Sequence, residues 1–248
     1  DYCPPVDLTF GEYLRALDTA DQDLVPSDDR SYRIAFVEAF RARGIFPSGV
    51  RTMSLQSLVW KSPEQLRPFK KLQLEGVLAR FRDFYNDCLN VSSRERLFFM
   101  ARNARSHLHL ALQEHFRTPT GRQDAQILRL RPPSEGHNFE VRSMRVAERI
   151  GPAGFRLPQM SVELVQRDHA TDFQGGCTLV ANIIDLAVRY SIYKNIDSAD
   201  RRRRQNEFKD SQGFGALAET YFQSHHSNRL REPFALLHRH IARGGSNA

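Results

Sequence analysis

The amino-acid sequence predicts an α+β fold, in which an all-helical first half is followed by an antiparallel β-meander with flanking helices. Two observations carry that reading. From Phe10 to Phe116 apolar residues recur at steps of three and four, the period of helices that bury one face. Beyond Pro132-Pro133-Ser134-Glu135-Gly136 the pattern changes to short alternating runs, rich in β-branched residues and separated by turns.

The first helix is expected over 9–24. Thr9 can cap it while Glu12 reaches back, and Phe10, Tyr13, Leu14, Leu17 and Leu24 follow at helical spacing until Pro26 stops it. A second helix is expected to start at 27–29, to bury Tyr32, Phe36, Val37 and Phe40 as one stripe, and to end at Gly44, a residue suited to the left-handed position past a helix end. Together they form a helical hairpin. A short helix over 54–60 comes next, and Ser62-Pro63-Glu64 supplies a cap, a first-turn proline and a dipole-facing acid for a helix running to Cys88. After 90–93 a long amphipathic helix carries Leu97, Ala101, Ala104, Leu108, Ala111 and Leu112 toward Phe116, and 119–122 is expected to end it.

Strands are expected at 139–147, 160–166, 177–183 and 188–192, with turns at Gly151-Pro152-Ala153-Gly154 and over 184–187. Gly175-Gly176 precedes a strand rather than a helix, so it cannot present a helix start to phosphate; a bulge or a close backbone approach is the plain reading. Helix signals return at Asp197-Ser198 and Glu232-Pro233, and 244–248 reads as a tail. Three parts are expected: 1–46 as the end of a helical lobe, 47–122 as a helical segment and 123–248 as a small α+β accessory domain.

At 248 residues the chain can bury a sizeable core. It opens on Asp1 without an apolar start signal, so it reads as the continuation of an upstream polypeptide. No run approaches the roughly 18 apolar residues of a membrane span, and Cys3, Cys88 and Cys177 lack the pairing or spacing of a disulfide framework or zinc knuckle. A soluble cytoplasmic protein is expected. The net charge of +7 is mostly arginine, with lysine only at Lys61, Lys70, Lys71, Lys194 and Lys209. Such an excess fits acidic partners and fits equally a solvated surface.

Thr9-Phe10, Arg15-Ala16, Ala20 and Asp23-Leu24, followed by Ala39-Phe40 and Gly44-Ile45, stand in an order and spacing that resemble the closing helical hairpin of thermolysin-like zinc metallopeptidases, the gluzincin hydrolases. The sequence departs from that pattern at Val25-Pro26, where an aromatic residue and glycine are usual, and at Arg43, where a small apolar residue is usual. The resemblance covers 9–45; the remainder is similar to carboxy-terminal extensions of uncharacterised bacterial metallopeptidase-like proteins. It implies that the zinc ligands and catalytic residues lie upstream, with zinc there and no cofactor in this chain.

No residue here is assigned a catalytic or metal-binding role. A zinc peptidase helix needs two histidines four residues apart around a glutamate, and the chain has none. His107 and His109 on a helix would point about 200° apart, and His225-His226 and His238/His240 fail on the same geometry. Asp21/Asp23 and Asp28/Asp29 lack the glycine and distal glutamate of a calcium loop and read as helix caps. Cys88 and Cys177 occupy apolar positions where thiols are inert. The strongest charge feature is Arg201, Arg202, Arg203 and Arg204, a candidate contact for a partner or for nucleic acid, yet Asp197, Asp200 and Glu207 stand four residues away from Arg201, Arg204 and Arg203 and would lace the run into exposed ion pairs. With Phe208 as the only near aromatic, the run argues against a nucleic-acid binder. The expected function is therefore a non-catalytic portion of a larger metallopeptidase-like protein. A protein-binding module, using the sheet and its flanking helices, is the alternative reading, and weak nucleic-acid binding is the third.

Overall fold

The computed structural model describes residues 1–66, 72–131, 138–151, 154–168 and 170–210. Its contacts divide the chain into two compact units, Asp1–Asp197 and Ser198–Ala248. The first unit holds helices α1 (Phe10–Leu24), α2 (Tyr32–Arg41), α3 (Leu55–Leu58), α4 (Pro63–Leu66), α5 (Glu75–Ala79), α6 (Arg82–Leu89), α7 (Arg94–Arg117) and α8 (Pro119–Ile127). Strands β1 (Glu140–Ile150), β2 (Arg156–Asp168), β3 (Phe173–Asn182) and β4 (Val188–Lys194) follow as one antiparallel meander in the order β1-β2-β3-β4. This is the α+β arrangement expected. In the second unit the described element is α9 (Ala199–Asp210), opened by Ser198, whose hydroxyl accepts from the Arg201 amide. The signals at Glu232-Pro233 and 244–248 lie outside the described residues.

Apolar side chains on both faces of β2 and β3 organise the first unit. On one face Met160, Val162 and Leu164 pair across the ladder with Ala181, Leu179 and Cys177. They join a buried cluster with Phe116, Leu108 and Leu112 of α7, Ala125 of α8 and Leu78 of α5. On the opposite face Val180 and Ile192 pack against Tyr2 and Ala16, with Trp60 at the edge. A bulge between Val141 and Ser143 puts Val141 and Met144 on the same face although they are three apart, because the extra residue resets the alternation.

The amino-terminal segment is a strap across that second face. Trp60 Nε1 donates to the Tyr2 carbonyl at 3.0 Å, Arg142 reaches the Pro5 carbonyl at 3.3 Å, and Arg149 pairs with Asp1 at 3.3 Å. Gly175 and Gly176 lie inside β3 rather than before it. A Cβ on Gly175 would come within 2.6 Å of Ile196, and one on Gly176 would strike the Leu164 carbonyl and press on Pro5 at 3.0 Å. The pair thus serves close backbone approach.

Three helix boundaries differ from expectation. The helix expected from Ser62 to Cys88 is broken into α4, α5 and α6, with Leu72 and Leu74 outside regular helix. Leu72, Leu74, Val77, Leu78, Phe81 and Tyr85 all enter one core, and a continuous helix would set Leu72 and Leu74 about 200° apart. The second helix begins at Tyr32 because Asp28 caps it from outside, accepting the Tyr32 and Arg33 amides at 2.8 and 3.0 Å, with Ser31 left-handed at φ 57°. Pro119 starts a helix instead of stopping one. Thr118 caps α8 by accepting the Gly121 amide at 2.9 Å, and proline at the first position loses nothing there.

Substitution of the strand glycines tests this packing. Gly176→Ala is expected to lower stability by about 1–3 kcal/mol through overpacking, whereas Gly76→Ala on α5, where a new methyl meets nothing within 4 Å, is expected to raise it by up to about 1 kcal/mol. Urea unfolding midpoints measure both.

Candidate functional site

The hairpin is held by charge at its turn. Arg33 is buried; its Nη1 and Nη2 donate to the carbonyls of Val25 and Pro26 at 2.9 and 3.2 Å, and the guanidinium lies 3.3 Å from Asp21 and 3.9 Å from Asp28. It thereby satisfies carbonyls at the end of α1 and neutralises the caps of α2. At the other end, Thr9 and Glu12 form the expected capping box. Leu14 and Val37 meet Leu58 between them.

Of the aromatic residues expected in the hairpin core, four face outward. Phe10 is 72% exposed, Tyr32 58% and Phe36 54%, and Tyr13 and Phe46 also face outward. Phe40 is partly buried against the Leu14–Val37 cluster. The inward face of α1 is used instead by Gly11, Glu12, Leu14, Ala16, Asp18 and Thr19. Small and polar residues face inward there because Gly11 abuts Pro47, Thr19 receives the Trp60 amide at 2.9 Å, and Glu12 pairs with Lys194 of β4 at 2.6 Å. Periodicity placed Leu14 and Val37 in the core and misplaced Phe10, Tyr13, Tyr32 and Phe36. The one available signal was that Gly11, Ala16 and Thr19 stand where only small side chains allow close approach. The sheet, proposed from sequence as a recognition face, has central strands covered on both sides; exposed apolar residues beside it include Ile150 and Phe155 at the β1–β2 connection and Ile184 at the β3–β4 turn.

The acidic residues near the hairpin are engaged within the fold. Asp23 accepts from the hydroxyls of Tyr2 and Tyr190, each at 2.7 Å, which ties the strap, α1 and β4 at one carboxylate. Burial and the Asp23 charge push both phenols well above their usual range, so they remain donors. Asp21 and Asp28 serve Arg33. His107 and His109 lie on α7, where His107 is exposed and His109 stacks on Phe139 with centroids 4.9 Å apart. His225-His226 and His238/His240 lie outside the described residues. Sequence reasoning missed His115 and Asp124, 2.7 Å apart, which clip α7 to α8 around Gly121 while Asp124 also accepts the Gln73 amide at 3.2 Å. No nucleophile accompanies them in that contact. Among the described residues no group of three His, Cys, Asp or Glu could hold a metal, and no helix is long and apolar enough to cross a membrane.

Arg201, Arg202, Arg203 and Arg204 lie on α9, the first two partly buried and the last two exposed. Arg203 reaches Asp200 at 3.4 Å and Glu207 at 3.9 Å, while Asp197 is held by Arg131 at 2.5 Å. Consecutive residues turn about 100° on a helix, so four in a row surround α9 instead of forming one cationic face. No protein family, curated protein or solved structure matches this chain.

Asp18 gives a pH-dependent check on the inward face. It is 4% exposed, its Oδ2 has no hydrogen-bond partner, and burial pushes it up to about 6 against the pull of Arg33. A raised carboxyl is penalised when ionised, so the penalty is absent below 3.8, grows as pH rises and is complete above about 6. Asp18→Asn is expected to gain about 1–3 kcal/mol over the parent at about pH 7.5 and nothing at about pH 4, as read from denaturation curves at the two pH values.

Proposed function

We propose that this chain is a non-catalytic docking module of a metallopeptidase-like protein, in which residues 1–46 complete the helical lobe of a zinc-bearing polypeptide and the sheet with its helices forms an accessory unit. One observation carries the reading. The hairpin α1–α2 turns Phe10, Tyr13, Tyr32 and Phe36 outward while its inner face packs within the fold, and exposed large aromatics are the residues that protein interfaces favour. That hairpin is also the segment whose Thr9-Phe10, Ala39-Phe40 and Gly44-Ile45 pattern resembles the closing hairpin of the gluzincins. The partner supplies the zinc and the chemistry, and this chain supplies the surface that seals its lobe. Free thiols at Cys3, Cys88 and Cys177 accord with a reducing cytoplasm as its place of work.

The purified chain is expected to hold no stoichiometric zinc and to cleave no peptide. Mixed with the zinc-bearing lobe of a thermolysin-like metallopeptidase that lacks its own closing hairpin, it is expected to bind through the hairpin. Phe10→Ser with Phe36→Ser is expected to weaken that binding at least about tenfold and to leave the melting temperature nearly unchanged, because surface substitutions cost little. Titration calorimetry and metal analysis measure these outcomes. Tight zinc with peptidase activity in this chain, or binding indifferent to the two phenylalanines, overturns the proposal.

A further inference from the structure

A cleft of about 670 Å³ opens between α1, the 48–61 segment and β4, and its walls include Arg15, Arg51, Lys61, Ser57, Trp60 and Tyr193. Arg15 is fixed there in an unusual way. Its Nε donates to the Leu58 carbonyl at 2.8 Å, and its Cζ lies 3.7 Å above the centre of the Trp60 ring. Trp60 is itself pinned at both ends, by its amide on Thr19 Oγ1 at 2.9 Å and its Nε1 on the Tyr2 carbonyl at 3.0 Å. The planar guanidinium is therefore stacked and oriented, yet neither Nη has an acceptor among the described residues. Arginine presents those two nitrogens as a fork whose spacing matches two oxygens of a carboxylate or phosphate.

The charge around the fork is one-sided. Among the described residues Glu12 is the one carboxylate in the wall, and Lys194 pairs with it at 2.6 Å. Arg51 and Lys61 are exposed and pair with no carboxylate among the described residues. Three cations thus line the space, and the nearest carboxylate among the described residues of the wall, Glu12, is shared with Lys194. Burial draws the Arg15 guanidinium down to about 10, so it stays charged at neutral pH while partly stripped of water, the state in which an incoming anion gains most. The cleft's size lies within the range of small-molecule sites.

We propose that this cleft binds a small polyvalent anion, carrying phosphate or carboxylate groups, with two of its oxygens seated on Arg15 Nη1 and Nη2 and the rest of its charge met by Arg51 and Lys61. The anion replaces water on two guanidinium nitrogens that have no acceptor among the described residues, and the stacking on Trp60 keeps the fork in place before binding.

Trp60 is the only tryptophan in the sequence, so its fluorescence reads the site directly. Pyrophosphate and citrate are the probes, titrated at low salt with acetate as the monovalent control. A saturable change in emission is expected for pyrophosphate or citrate with a Kd below about 1 mM, and the stronger of the two identifies the phosphate or the carboxylate source. Arg15→Lys keeps the charge but loses the fork and is expected to weaken binding at least about tenfold. Arg51→Gln and Lys61→Gln, at exposed positions outside the core, are each expected to weaken it several-fold and to leave the far-ultraviolet circular dichroism unchanged. No saturable change up to about 10 mM, or affinity that survives all three substitutions, overturns the proposal; so does full retention by Arg15→Lys, which would leave only a diffuse positive field.

Discussion

The first unit is built around a sheet that must be covered twice. β3 is buried along nearly its whole length, with Cys177, Leu179 and Ala181 on one side and Thr178 and Val180 on the other. Antiparallel sheets commonly leave one face to water; this one cannot, because two apolar faces exposed at about 25 cal/mol per Å² would cost more than a small domain's net stability. The helices α5 to α8 close one face. The strap, α1 and the Trp60 segment close the other.

The second cover explains the character of α1. A helix lying over β4 while also receiving the Trp60 segment needs small residues and paired polar groups on its inner face, and Glu12 with Lys194 and Thr19 with the Trp60 amide provide them. A buried ion pair adds little net stability but fixes geometry, here the placement of α1 relative to β4. Its bulky aromatics are left to face outward, which produces the exposed surface proposed for docking. The same arrangement brings Arg15 over Trp60 and opens the cleft beside them. Fold, exposed aromatic face and cleft thus follow from one requirement for burial.

Local chemistry was legible in the sequence wherever a few adjacent residues decide the outcome. The Thr9–Glu12 capping box, the stop at Pro26, the left-handed Gly44 at φ 69°, the Ala104–Phe116 stripe and the order of the strands were all readable in advance. Features set by distant partners were not. The helix expected to reach Cys88 breaks because residues far along the chain draw Leu72 and Leu74 into one core, and the aromatic stripes turn outward because β4 and the Trp60 segment claim the other face of α1. The cleft was invisible for the same reason: Arg15 is far in sequence from Arg51 and Lys61, and the contacts of α1 with Leu58 and Trp60 bring them to one space. The run Arg201 to Arg204 drew attention as a block, whereas a single stacked arginine carries the sharper chemistry.

Hydrogen exchange on a Tyr2→Ala variant tests the double cover most directly. Tyr2 is 3% exposed, packs on Val180 and Ile192, and donates to Asp23. Losing a buried aromatic costs about 3–5 kcal/mol. If the strap is a required cover, amide protection in α1, β3 and β4 should fall together by a common factor of at least about one hundred, since 1.4 kcal/mol is about tenfold. Protection in β3 and β4 equal to that of the parent, with exchange quickened only over residues 1–8, would contradict the account.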